Sequence, residues 1–248
     1  MIGTEIEIRE CLTLDELAAC VQLQRDVFAL PEVELSPVRH LIVTKNAGGF
    51  TLGAYDGGRL VGFVLSVPAF LRGEQAFYSH MTAVHGDYQG VGIGAKLKWA
   101  QRSRALAEDV KFIKWTFEPV KARNAQFNLE KLGAIVIEFQ ENFYGVDYTT
   151  APGKKIGLAS DRLFAEWHLE SAKVSALATG DKFTETAEPS AVIEIMPDWL
   201  EMVDDDPAEA LEQQVRIRGE FQKAFEKGLI GRGFRRDAEK PAYLLYDK

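Results

Sequence analysis

Apolar and polar residues alternate at Ile6-Glu7-Ile8-Arg9, and that period of two predicts a short first strand. Thr13 ahead of Asp15 and Glu16 has the form of an N-cap followed by an acidic first turn. The helix it opens carries Leu14, Leu17, Val21 and Phe28 on roughly one side, until Pro31 stops it. A second helix is predicted from Pro37 to about Lys45, ended by Asn46-Ala47-Gly48-Gly49. Phe50 to Tyr55, the turn Asp56-Gly57-Gly58 and Arg59 to Val67 predict a hairpin, and a further strand follows from about Ala76 to Val84. Gly94 to Glu108 has helical composition. Phe112 to Phe117 is a strand closed by Glu118-Pro119. Ala122 to Leu132 is a helix stopped at Gly133, and Ile135 to Phe139 a strand. The order β-α-α-β-β-β-α-β-α-β predicts an α/β fold with a mixed sheet, antiparallel at first and parallel around the strand–helix–strand units.

The last hundred residues pattern as a second unit. Strands are predicted at Leu163 to Leu169 and Ala191 to Met196. Asp204-Asp205-Asp206 leads into Pro207, a favourable helix start, and Ala210, Ile217, Phe221 and Phe225 mark that helix's buried stripe up to Gly228. Short strands near 233–236 and 242–246 close the chain. The breakers Pro152 and Gly153 mark a linker over 149–157, and 179–190 is a second polar stretch. Two parts are therefore expected: residues 1–148, and residues 158–248 packed against them.

Composition narrows the partners. The 248 residues are 46% hydrophobic and 27% charged, as in an ordinary water-soluble protein, and no apolar run approaches the length of a membrane span. The first residues are acidic and lack the apolar core of a secretory signal. Cys11 and Cys20 are expected as buried, reduced thiols in a cytoplasmic protein. A net charge of −8 argues against binding nucleic acid or an anionic membrane. One stretch departs from that balance: Lys96, Lys98, Arg102 and Arg104 follow a glycine cluster, as a solvated helix face or as contacts for a phosphate-rich ligand. The four histidines and two cysteines show no ligand spacing, so no metal is expected.

The glycine cluster carries the chemistry. His80-Met81-Thr82-Ala83-Val84-His85-Gly86-Asp87-Tyr88-Gln89-Gly90-Val91-Gly92-Ile93-Gly94-Ala95 is a strand running into a tight turn that opens a helix. Such a turn aims backbone N–H groups at one point, and the helix dipole adds positive charge, which suits a diphosphate. Gly90-x-Gly92-x-x-Ala95 also satisfies a dinucleotide fingerprint. That reading needs an acidic residue at the end of the next strand, whereas Asp109 precedes the strand and Glu118 comes late.

Gln89-x-x-Gly92-x-Gly94, with Ala83-Val84 before it, resembles the signature of the GNAT acyltransferases. The helix from Ala122 to Leu132, carrying Asn124 and Asn128 and ending Lys-Leu-Gly, resembles that family's second motif. Trp115 to Pro119, Asn142 to Gly145 and Ser160 to Leu163 with Glu166-Trp167 resemble a subgroup with an extra C-terminal half.

The resemblance implies a GNAT fold with a degenerate GNAT-like C-terminal half, and acetyl-CoA (or another acyl-CoA) as co-substrate. It implies pantetheine contacts at Ala83 and Val84, a diphosphate on the amides of Gln89, Gly90, Val91, Gly92, Ile93, Gly94 and Ala95, and amide contacts from Asn124 and Asn128. The acceptor is expected to be an amine of a small molecule or peptide that attacks the thioester directly. Candidate bases are His80 and Glu118, on the strands expected to flank the thioester, and Tyr144 or Tyr148 is the candidate acid, because the second motif's usual tyrosine is here Leu129. The C-terminal half is expected to wall the acceptor pocket or to form a homodimer. A non-catalytic acyl-CoA sensor of the same fold is the alternative.

Overall fold

The computed structural model describes residues 6–28, 30–148 and 155–248. Its contacts divide the chain into two compact units, Met1–Lys114 and Trp115–Lys248. The linker read from Pro152 and Gly153 thus falls inside the second unit, and its residues 149–154 lie outside the described ones.

In the first unit, β1 (Glu7–Glu10), β2 (Phe50–Asp56), β3 (Arg59–Leu71) and β4 (Glu74–Val84) lie side by side and antiparallel. β5 (Phe112–Phe117) then joins β4 in parallel, at Phe77↔Ile113 and Tyr78↔Lys114. The antiparallel-then-parallel sheet follows the predicted order. β3 and β4 both outrun their predicted bounds: β3 continues through Pro68 and β4 starts at Glu74, because the two pair as far as Leu71↔Glu74.

α1 (Leu14–Phe28) and α2 (Val38–Asn46) pack on this sheet, and Leu17, Cys20, Leu23, Leu41, Tyr55, Phe63, Leu65 and Ala83 share one buried core. Leu14, predicted on the apolar stripe, is exposed in the first turn. The two thiols lie 3.7 Å apart within this core as free cysteines, and Cys11 Sγ is 3.2 Å from the Tyr55 hydroxyl. α3 (Ile93–Leu106) seats Ile93 and Leu97 against β3 at Gly62. A Cβ there would meet Ala83 O at 3.1 Å, Leu97 Cδ1 at 3.2 Å and Ile93 Cγ2 at 3.3 Å. The bare glycine therefore sets how closely the start of α3 approaches the sheet.

The second unit has the strand order β5, β7 (Arg162–His168), β6 (Ile135–Gln140), β9 (Ile230–Arg235), β10 (Ala242–Tyr246), β8 (Ala191–Glu194). β6 and β7 pair antiparallel from Ile135↔Glu166 to Gln140↔Arg162. The helix expected over 122–132 is composite: α4 (Ala122–Ala125) passes into a π-helical stretch, Gln126–Lys131, whose wider turn ends with Leu132 N–H donating to Phe127 O.

Two short helices, α5 (Ala172–Ala178) and α6 (Trp199–Asp205), were not foreseen, since seven residues give too little sequence for a 3.6-residue period to show. α7 (Pro207–Glu226) begins at Pro207, with the Asp206 carboxylate accepting from Glu209 N–H. Its buried face is Ala210, Gln214, Ile217, Phe221 and Ala224, so Ala224 takes the place predicted for Phe225. Two buried aromatic tips are satisfied: Trp167 Nε1 donates to Leu132 O at 2.7 Å and Tyr243 OH to Pro119 O at 2.8 Å. Among the described residues no helix is long and apolar enough to cross a membrane.

Candidate functional site

The glycine-rich turn is built from both sides. His85 N–H donates to Val61 O on β3, and the Gln89 side chain reaches back to Val84 O at 3.0 Å, tying the turn to the end of β4. The Tyr88 hydroxyl donates to Asp56 at 2.7 Å and so anchors the turn to the β2–β3 hairpin. His85 Nδ1 accepts from Asp87 N–H at 3.3 Å and caps a single 3-10 turn, Gly86–Tyr88.

Gly90 and Gly92 then take φ of +81° and +90°, conformations that disfavour a side chain. Gly92 is the N-cap of α3, and no side chain caps that helix, whose first amides have no partner within the helix itself. A Cβ at Gly86, Gly90 or Gly92 would meet no protein atom within 4 Å. The result is a scaffolded, open cradle of N–H groups at a positive helix end, the geometry that holds a phosphate.

The basic residues behind the cradle separate. Lys96 is exposed, but Lys98 points inward with only 2% of its surface exposed, its Nζ 3.0 Å from Ser79 Oγ. Burial pushes its pKa well below the usual value. The expectation of a phosphate contact therefore fails for Lys98, whose helical position faces the sheet beside Ile93, Leu97 and Gln101.

His80 lies on β4, four residues before Val84. Solvent reaches the residue, yet the protein around the ring and the neighbouring His40, 5.9 Å away edge-on, hold its pKa below the usual 6.5. Its Nε2 is 3.2 Å from Ser36 Oγ.

In the second unit, Glu118 contacts Lys121 Nζ and lies 3.8 Å from Arg162. The Arg162 guanidinium stands 5.1 Å from the Tyr144 ring centroid, so Arg162 neighbours two of the residues singled out as proton carriers. Tyr144 also stacks on Tyr148 and meets Phe143 edge-on. Arg162 lies in the segment Ser160 to Leu163, but no periodicity marks a buried arginine, and only the pairing of distant segments reveals its place. A small hollow beside it, lined by Glu118, Asp161, Arg162, Trp199 and Gln214, has room for one water at most. Asn128 is buried and its Oδ1 accepts from Trp115 Nε1 at 3.2 Å, while Asn124 sits in α4, half-buried. Gln126, between them, has a buried Oε1 with no hydrogen-bond partner.

The sequence matches the acetyltransferase (GNAT) family over residues 17–134. Solved structures agree. The ribosomal-protein-S18-alanine N-acetyltransferase of Escherichia coli is similar at 16% identity over 68% of this chain and 96% of its own, with a TM-score of 0.53. The ribosomal-protein-alanine N-acetyltransferase of Brucella melitensis gives 21%, 66%, 99% and 0.53. Arabidopsis thaliana Naa50, solved with the bisubstrate analogue CoA-Ac-MVNAL, gives 16%, 65%, 97% and 0.51.

Residues 17–134 of this chain carry a GNAT-family domain.

The structural likenesses establish its fold. No curated protein matches the sequence. Within the GNAT domain, the place of the second motif's tyrosine is held by Leu129, completely buried in the π-helical stretch. Among the described residues no group of three or more His, Cys, Asp or Glu is placed to hold a metal ion.

Proposed function

We propose that this GNAT protein transfers an acetyl group from acetyl-CoA to an amine of a small molecule or peptide, in a cytoplasmic setting. The observation that carries the reading is the cradle at Gly90 and Gly92: open to solvent, uncapped, and braced by Gln89, Tyr88 and His85. The CoA diphosphate rests on the amides from Gln89 to Ala95. The strand backbone at Ala83 and Val84 pairs with the pantetheine arm. Asn128 is committed to Trp115 through its oxygen and contributes its NH2 group, and Asn124 remains a candidate partner for the same arm.

The acceptor's nitrogen attacks the thioester carbon, the C–S bond breaks, and the amine proton passes to His80. On the contacts described, Glu118 is held by two cations and Tyr144 by ring packing and Arg162. His80 is the group most free to exchange a proton.

Thermal unfolding with acetyl-CoA, with NADH as control, tests the reading. Saturation at a hundred times Kd adds about 2.7 kcal/mol of stability, an upward shift on the order of 5–10 °C for a chain of this size. Gly92→Glu abolishes the shift. No shift with millimolar acetyl-CoA, or a shift with NADH alone, overturns it.

Leu129 in the tyrosine's place favours a second reading, a non-catalytic acyl-CoA sensor. Tight binding without CoA release across a panel of amines would establish that instead.

A further inference from the structure

His80 is solvent-accessible, but its anchor is not. Ser36, which meets its Nε2 at 3.2 Å, is 8% exposed, and Gln24 behind it is completely buried. Gln24 commits both ends of its amide to one residue: Nε2 donates to Ser36 O at 3.1 Å, and Oε1 accepts from Ser36 N–H at 2.9 Å. The other buried positions of α1 are Leu17, Cys20, Val21 and Leu23, so Gln24 is the one polar residue in an apolar stripe. An apolar side chain would fill such a site without the cost of dehydrating an amide. What the glutamine adds is a fixed place for Ser36.

Pro37 fixes it further. Its ring confines the preceding residue to extended backbone, and its own φ of −72° starts α2. Three segments thus converge on Ser36: α1 through Gln24 at its backbone, the entry to α2 through Pro37, and β4 through His80 at its hydroxyl. A histidine with one nitrogen held by a rigid partner presents the other nitrogen in a set direction and a set protonation state.

We infer that Ser36 is a positioning residue for His80: its hydroxyl accepts the Nε2–H, leaving the Nδ1 lone pair to take the acceptor's proton. This rests on the acyl-transfer reading above. As the N–C bond to the acetyl carbon forms and the C–S electron pair leaves with sulfur, the amine proton moves to Nδ1. The imidazolium then returns it to the thiolate or to solvent. His40, edge-on to His80 in α2, borders the ring but takes no part in holding Nε2.

Ser36→Ala isolates the hydroxyl, since both Gln24 contacts run to backbone atoms that alanine keeps. The measurement is the long-range ¹H–¹⁵N imidazole spectrum of the full chain, with the His80 signals assigned by His80→Gln. The wild type should show His80 as the Nε2–H tautomer, Ser36→Ala a mixture, and Ser36→Thr the wild-type state again. CoA released from acetyl-CoA alone, with water as acceptor, should fall roughly 10- to 100-fold in Ser36→Ala. The acetyl-CoA-induced thermal shift should be unchanged, separating turnover from binding.

An Nδ1–H tautomer in the wild type, or a tautomer and rate indifferent to Ser36→Ala, overturns the role of Ser36 while leaving acyl transfer standing. A wild type that binds acetyl-CoA and never releases CoA overturns the acyl-transfer reading, and with it the proton-accepting role of His80, whatever the tautomer.

Discussion

Arg218 of α7 clasps Asp161, its Nε 3.0 Å from one carboxylate oxygen and its second nitrogen 3.2 Å from the other. Asp161 is 2% exposed and also accepts from Asn142 N–H at 3.0 Å, while Arg218 touches Glu141 as well. Ser160 completes the brace, with Tyr144 N–H donating to its hydroxyl at 2.7 Å and Phe143 N–H to its carbonyl. The two motif segments, Asn142 to Gly145 and Ser160 to Leu163, therefore serve each other and α7. Arg218→Met should destabilise the fold by about 3–5 kcal/mol near neutral pH, because it leaves a buried carboxylate uncompensated.

Burial raises the Asp161 pKa above 3.8 despite its partners. Between 3.8 and that raised value the folded chain holds the proton more firmly than the unfolded one, so this group's contribution to stability declines as pH rises through the window. The Arg218→Met deficit should accordingly shrink in acid, and Asp161→Asn in the same chain should recover part of it. Urea unfolding at two pH values reads both outcomes.

Gly62 and Gly92 fail differently when given a methyl group. At Gly62 the new Cβ meets backbone and two α3 side chains at 3.1–3.3 Å, so Gly62→Ala should cost about 1–3 kcal/mol and shift α3. At Gly92 nothing lies within 4 Å, and the cost of Gly92→Ala is the φ of +90°, on the order of 1 kcal/mol. Calorimetry of the two variants with and without acetyl-CoA should show the larger stability loss in the first, and a loss of ligand-induced stabilisation in the second that its own stability change does not explain.

Lys98 should weaken the fold it belongs to. With its pKa held well below 10.5 by burial, the unfolded chain binds the proton more strongly. Its contribution is therefore lost as pH falls from the usual lysine range through the lowered value. Lys98→Met should stabilise the protein at neutral pH by roughly 1–3 kcal/mol, and the difference from wild type should narrow in alkali. Ser79 keeps Gln101 Nε2 at 3.1 Å in the variant, so no hydroxyl is stranded.

The His80 environment predicts an acid weakness. Between the usual 6.5 and the lowered folded value the unfolded chain takes up the proton first, so stability falls as pH drops through that window. Scanning the melting temperature from about pH 8 down to about pH 5 should show a decline that His80→Gln reduces. An unchanged slope in that variant would mean the burial of the ring carries no such penalty.

The order of elements was legible because each strand and long helix carries its own period, from the Ile6 to Arg9 alternation to the hairpin around Asp56-Gly57-Gly58. The glycine-rich turn was legible too, since positive φ and open space demand residue types that the sequence prints directly. Short helices such as Ala172–Ala178, and the change from α to π winding at Gln126, were not, because neither leaves a periodic trace over so few residues.

What tertiary structure alone decided is direction and partnership. Lys96 and Lys98 read alike in sequence, yet a rotation of two helical positions leaves one in water and seats the other on Ser79. Gln24, Ser36 and His80 lie on three separate segments, as do Glu118, Tyr144 and Arg162. Local sequence sets the backbone's period, but which side chains meet is fixed only when distant segments fold together and each buried polar group must find its partner.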